Sequence, residues 1–208
     1  MQPQKRLVFI GDSITESGRF KDTERMGSGY VKMIYDYLVL TDPSNFPNVI
    51  NRGISGNRIT DLQSRWDEDV IKLNPDYVSI SIGVNDVWRQ LDNPELEQVS
   101  PERFESIYRE LLTEVNEKTN AVLFLMEPTI IEENIESPGN IILKEYVDIV
   151  QQLAIEYDSI LVPTHQSFLD YLRNNPIHAL TTDGVHMNDK GNLLMAKTWV
   201  DAVKWHLK

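Results

Sequence analysis

LVFIGDSITESG, residues 7–18, is where the fold can be read first. Four apolar residues stop at Gly11, and Asp12, Ser13, Thr15, Glu16 and Ser17 follow almost at once. A continuous apolar run of this length suits a strand buried on both faces of a parallel sheet, because helices cover both sides of such sheets. The abrupt change to short polar residues then marks the strand's carboxyl end, where the chain leaves the core and a turn or helix begins.

Working outward, runs of the same kind recur at 48–51 (NVIN), 77–83 (YVSISIG), 121–126 (AVLFLM) and 159–163 (SILVP). Helical patterns separate them. Residues 29–40 place Val31, Ile34 and Leu38 on one face, and residues 59–73 do the same with Leu62, Trp66 and Val70. Further helices are expected over 101–118, opened by Ser100 and Pro101, then over 140–157 and 189–206. Strand and helix alternate about five times, which predicts a doubly wound α/β protein: a three-layer α/β/α sandwich around a five-stranded parallel sheet. One domain spanning residues 1–208 is expected, with the acidic, irregular stretch 127–139 as a surface loop that edges the site.

Composition narrows the function. Twenty Lys and Arg against 32 Asp and Glu leave a formal charge of −12, which repels phosphate backbones and anionic headgroups, so neither nucleic acid nor membrane is an expected partner. There is no cysteine, which removes disulfides, thiolate metal sites and cysteine nucleophiles together and fits a reducing cytoplasm. The basic start MQPQKR is followed only by LVFI before Asp12, too short for a signal-peptide core, and no stretch approaches the roughly 20 apolar residues of a membrane span. A cytoplasmic location is the expectation.

In doubly wound sheets chemistry sits outside the carboxyl ends of the strands. That selects GDSITESG, RGISGNR and GVNDVWRQ, after the first three strands. Ser13 reads either as a helix N-cap, a role Thr15 fills equally well, or as a nucleophile. A nucleophilic serine needs a base and a group that orients the base. Of the four histidines, His186 is favoured because Asp183 precedes it by three positions in TTDGVH, where a turn at Gly184 lets the carboxylate fold back onto the imidazole. His165 is second; His178 lacks a nearby carboxylate in sequence, and His206 falls on the closing helix at the surface. Donors for an oxyanion are available from the Ser13 and Gly56 backbone and the Asn85 amide. Each also has a structural reading: Gly53 and Gly56 as turn formers, Asn85 and Asp86 as a helix cap.

Taken together and in this order, GDSITESG, NRGISGN, IGVND and DGVH resemble the SGNH or GDSL superfamily of esterases and lipases, over residues 7 to about 195. The resemblance implies a flavodoxin-like SGNH hydrolase fold, Ser13 as nucleophile, His186 as general base and acid, Asp183 as its orienting carboxylate, and Ser13, Gly56 and Asn85 as oxyanion hole. Asp12 then reads as a brace for the serine turn. The G-x-S-x-G elbow of the α/β-hydrolases needs glycine where Thr15 stands. Ile14 replaces the leucine of GDSL, and Met187 the proline of the frequent H-P-N.

Residues 51–90, in particular WDEDV and NDVWRQ, resemble bacterial acetylxylan esterases, although Thr182 stands where that subgroup is expected to carry tryptophan. A small ester substrate, an acetylated carbohydrate, is therefore expected, with Trp88, Arg89, Tyr30 and Phe20 as sugar-binding candidates. No cofactor or metal is needed, and homo-oligomers are a family-level expectation. The alternatives are a lysophospholipase or thioesterase of the same superfamily, a phosphoesterase holding a divalent cation on Asp12, Asp86, Asp183 and His186, and a nonenzymatic carbohydrate-binding module.

Overall fold

The computed structural model describes residues 4–174 and 176–207. Its elements run β1 (Arg6–Gly11), α1 (Ser13–Glu16), α2 (Tyr30–Thr41), β2 (Asn48–Gly53), α3 (Ile59–Asp69), β3 (Tyr77–Ser81), α4 (Val84–Asp92), α5 (Pro101–Lys118), β4 (Val122–Met126), α6 (Pro138–Glu156), β5 (Ile160–Val162), α7 (Thr164–Arg173) and α8 (Asp189–Val203). All strand pairings are parallel, in the order β2-β1-β3-β4-β5. This is the flavodoxin-like order, whose direction of winding reverses between β1 and β3.

Helices α2, α7 and α8 pack together on one side, and α3, α4, α5 and α6 on the other. The central strands are buried as expected: every residue of β3 is buried, and only Arg6 of β1 is exposed. The edge strands differ. β2 alternates, turning Val49, Asn51 and Gly53 inward, and β5 is half-buried, because an edge strand has one flank open to water. The anticipated faces of α2 and α3 are confirmed, with Val31, Ile34, Leu38, Leu62, Trp66 and Val70 all in the core. Trp199 of α8 packs on Phe9 and Phe124 and donates its indole N–H to Ser79 Oγ at 2.9 Å, so a buried aromatic and a buried hydroxyl satisfy one another across layers.

Ser100 accepts a hydrogen bond from Arg103 N and is followed by Pro101, as expected for the start of α5. The same signal, Ser137 then Pro138, starts α6 two residues before the expected position. At the other end α8 stops at Val203, so His206 lies beyond the helix, exposed. The stretch 127–139 is not simply a surface loop. Residues 127–131 are buried, and Glu132 and Glu133 bind the segment that carries Asp183 and His186. Among the described residues no helix is long and apolar enough to cross a membrane.

Candidate active site

The short helix α1 begins directly after β1. Its N-cap is Asp12, whose Oδ1 accepts from Ile14 N at 2.9 Å, so neither Ser13 nor Thr15 caps it. Ser13 occupies the first helical position with its hydroxyl free to turn outward. Thr15 turns inward, and its Oγ1 lies 2.9 Å from the Tyr30 hydroxyl. Two backbones meet here at close quarters: a Cβ on Gly53 would stand 2.2 Å from Glu16 N and 2.6 Å from the Thr15 carbonyl carbon. Only glycine lets α1 sit on the end of β2. Asn51 completes the seat, donating to Thr15 O and Met26 O while accepting from Gly53 N.

Opposite Ser13, the segment between α7 and α8 delivers His186. Its Nε2 is 2.9 Å from Ser13 Oγ and its Nδ1 is 2.7 Å from Asp183 Oδ2. Asp183 Oδ1 is itself held by the backbone N–H groups of Val185 and His186, at 3.0 and 2.7 Å. Burial pushes the Asp183 carboxyl up, but these two N–H bonds and the imidazole outweigh it and hold the group below the usual carboxylate range. The turn is anchored from below. Gly184 O accepts from Glu132 N at 2.7 Å, and Glu133 Oε1 accepts from Leu180 N and Thr181 N at 2.9 and 2.7 Å. Thr182 N donates to His186 O at 2.8 Å, closing the loop. An imidazole fixed by a carboxylate on one nitrogen and facing a serine hydroxyl with the other can take and return that hydroxyl's proton.

Gly56 and Asn85 belong to a connected neighbourhood. Ile54 N donates to Gly11 O, and the Arg65 guanidinium reaches Gly11 O, Arg52 O and Asn57 Oδ1 together, tying the ends of β1 and β2 to the loop between β2 and α3. Asn85, buried at the start of α4, spends one amide hydrogen on Asn57 O at 3.0 Å. Gly56 has φ +82°, a left-handed value that favours glycine, and a Cβ there would meet no atom within 4 Å. Asp86 does cap a helix, but not its own: its carboxylate accepts from Ile59 N, the first residue of α3. Burial raises Asp86 to about 7 and Asp12 to about 6.

Beside Ser13 and His186 lies a cleft of about 240 Å³, with polar walls from Glu16, Ser17 and Ser55 and apolar surface from Ile14 and Met187. Trp88 stands edge-on to the His186 ring at 5.8 Å, and Arg89 stacks on Trp88 at 4.6 Å while pairing with Asp92. Two sugar-binding expectations require correction. Tyr30 is fully buried, its N–H on Asn192 Oδ1 and its hydroxyl on Thr15, so it is scaffold. Phe20 is exposed and stacks on Arg19 at 4.1 Å; like Trp88 and Arg89 it is not part of the cleft lining, and unlike Trp88 it has no ring contact with His186. His165, the second candidate base, is buried with Nδ1 against Thr129 O, and His178 is exposed. The alternative cation site on Asp12, Asp86, Asp183 and His186 is not assembled: among the described residues no three His, Asp or Glu side chains are grouped to hold a metal ion.

Asn51, Arg65 and Glu133 were not singled out from the sequence. A polar Asn51 inside the strand run NVIN was the only available signal; the other two look like ordinary surface charges.

A flavodoxin-like sheet bearing a Ser–His–Asp hydrogen-bonded chain at its switch point is the arrangement of a serine hydrolase, and the relatives make the class a carboxylic ester hydrolase. The chain belongs to the GDSL-like lipase/acylhydrolase family, whose model matches residues 9–194. It is 37% identical to an acetylxylan esterase of Geobacillus stearothermophilus over 203 residues, covering 94% of this chain and 92% of that protein. The crystal structure of that organism's acetylxylan esterase superposes with a TM-score of 0.89 at 36% identity, covering 97% of this chain and 96% of the other. An enzyme from the metagenome of Lake Arreo, Spain, described as an alpha/beta hydrolase, matches with a TM-score of 0.89 at 34% identity over 95% and 94% of the two chains.

Proposed function

We propose that this protein is a serine esterase that removes acetyl groups from acetylated xylo-oligosaccharides or related carbohydrates, with residues 1–208 acting as one catalytic domain. The observation that carries the reading is the continuous chain Ser13 Oγ, His186 Nε2, His186 Nδ1, Asp183 Oδ2, with links of 2.9 and 2.7 Å. Its relatives support it. Structures of the Geobacillus enzyme include catalytic mutants in which a serine, an aspartate or a histidine becomes alanine, the last two standing three positions apart as Asp183 and His186 do.

In this mechanism His186 takes the Ser13 proton as Oγ attacks the acetyl carbonyl, and Asp183 stabilises the imidazolium that forms. The N–H groups of Ser13 and Gly56 and the second amide hydrogen of Asn85 receive the oxyanion. The imidazolium then gives its proton to the departing sugar oxygen, and water repeats the sequence on the acetyl-enzyme. Homo-oligomerisation and a cytoplasmic location belong to the same reading and are checked by light scattering and cell fractionation.

The test compares wild type and Ser13→Ala on p-nitrophenyl acetate, with and without EDTA and a serine-directed organophosphate. Expected are loss of activity in the variant and with the organophosphate, and none with EDTA. Chelator-sensitive activity that survives Ser13→Ala overturns the proposal in favour of a metal-dependent phosphoesterase-like site.

A further inference from the structure

The cleft beside Ser13 contains a chemical constraint that acyl transfer itself does not need. Glu16, half-buried at the end of α1, accepts a hydrogen bond from Ser55 Oγ through Oε2 at 3.0 Å. Its Oε1 receives no hydrogen bond from a described residue. The amide-bearing wall residue, Asn192, is already committed: its Oδ1 accepts from Tyr30 N and its Nδ2 donates to Met187 O and Asn188 O. Glu16 is therefore the strongest free acceptor among the described residues lining the cleft beside Ser13.

Among the described residues no cation stands at the cleft wall beside it, and its electrostatic partner, Arg19, lies buried behind the wall. No described Lys or Arg lines the cleft; the Arg19 guanidinium hydrogen-bonds Gly53 O, and that of Arg65 is held by backbone carbonyls and Asp69. An anionic leaving group, such as a phosphate-bearing alcohol or a uronic acid, would meet a carboxylate at a wall that offers it no cation, and a long acyl chain would have to desolvate that carboxylate. A neutral polyol suits it, since vicinal hydroxyls are donors and hydrogen bonds to a charged acceptor are among the stronger ones.

We propose that Glu16, oriented by Ser55, determines specificity by accepting hydrogen bonds from ring hydroxyls of a neutral sugar as that sugar leaves Ser13. The proposal rests on the esterase reading above and adds the site that selects the alcohol.

The experiment measures kcat/KM for acetylated xylobiose and for p-nitrophenyl acetate, whose leaving group has no sugar hydroxyl, in wild type, Glu16→Ala and Glu16→Gln. The ratio of the two should fall about ten-fold or more in Glu16→Ala, the range of one hydrogen bond to a charged group, and less in Glu16→Gln, which keeps the side-chain volume and an acceptor oxygen. Glu16→Gln should also improve an acetylated oligosaccharide carrying a uronic acid relative to the neutral one. An unchanged ratio in both variants, including a parallel fall on both substrates, overturns the proposal. Wild type without Ser13-dependent activity on p-nitrophenyl acetate would instead overturn the esterase reading itself.

Discussion

His186 Nε2 lies 2.9 Å from Ser13 Oγ across a sequence separation of 173 residues, while Asp183, only three positions away, holds the other ring nitrogen at 2.7 Å. The local half of this arrangement sets the tautomer for the distant half. Because two backbone N–H groups already fix Asp183 Oδ1 as an acceptor, an amide at this position must turn its NH₂ toward the ring.

Asp183→Asn should therefore force the proton onto Nε2 and deprive Ser13 of its base, lowering kcat by up to about 10⁴-fold. Asp183→Ala leaves the ring free to choose its tautomer and should retain at least as much activity. Steady-state kinetics on p-nitrophenyl acetate decide this, and an Asn variant clearly more active than the Ala variant would contradict it.

Asn85→Ala should lower kcat by about 10²- to 10³-fold with a much smaller change in KM, the signature of a donor used only in the transition state. The side chain also holds Asn57 O, so the thermal midpoint must be measured beside the kinetics. A fall in stability with kcat intact would assign Asn85 to the scaffold alone.

Gly53→Ala tests the seat of α1. The added Cβ would overlap the backbone of Thr15 and Glu16, which is not a flexible side-chain end. Destabilisation of about 1–3 kcal/mol is expected in denaturant unfolding, with slower labelling of Ser13 by an organophosphate because the serine is displaced. Wild-type stability and labelling rate would show that α1 does not depend on this contact.

Asp86 and Asp12 predict a pH dependence of stability. Burial raises their folded pKa values to about 7 and about 6, above the ordinary 3.8. A group raised on folding contributes fully below its unfolded pKa and loses that contribution as pH climbs through the folded value. Between about pH 4 and 7 the two carboxyls should therefore make stability decline with rising pH, each by at most about 1.4 kcal/mol per pH unit. Asp86→Asn, which stays neutral, should flatten that decline in urea unfolding at a series of pH values. An identical slope in wild type and variant would show that Asp86 folds as an ordinary carboxylate.

The strands were legible because both faces of a parallel sheet must be largely apolar: LVFI and VLFLM carry that requirement without interruption, and YVSIS departs from it only at the small residues Ser79 and Ser81. Two helices were legible only as possible starts, α1 with four residues and α4 with nine, and α7 with ten was not read at all. Helix α1 is too short to display a helical period, and α4 buries Asn85 and Asp86 where a periodic pattern would put apolar residues. Tyr30 misled for a related reason. Aromatic residues near a site serve equally as wall or as floor, and only packing distinguishes them; here the hydroxyl turns inward to Thr15.

What the sequence determined by itself was local: strands from continuous apolar runs, a serine released at Gly11, and a carboxylate close enough to His186 to orient it. Whether Ser13 was a cap or met His186 depended on contacts between segments far apart in the chain. The tertiary structure decided this by making Asp12 the cap, seating α1 on Gly53, and holding the His186 turn on Glu132 and Glu133. Such contacts leave no periodic trace, because a single glycine or carboxylate suffices for each and its partner can lie anywhere in the chain.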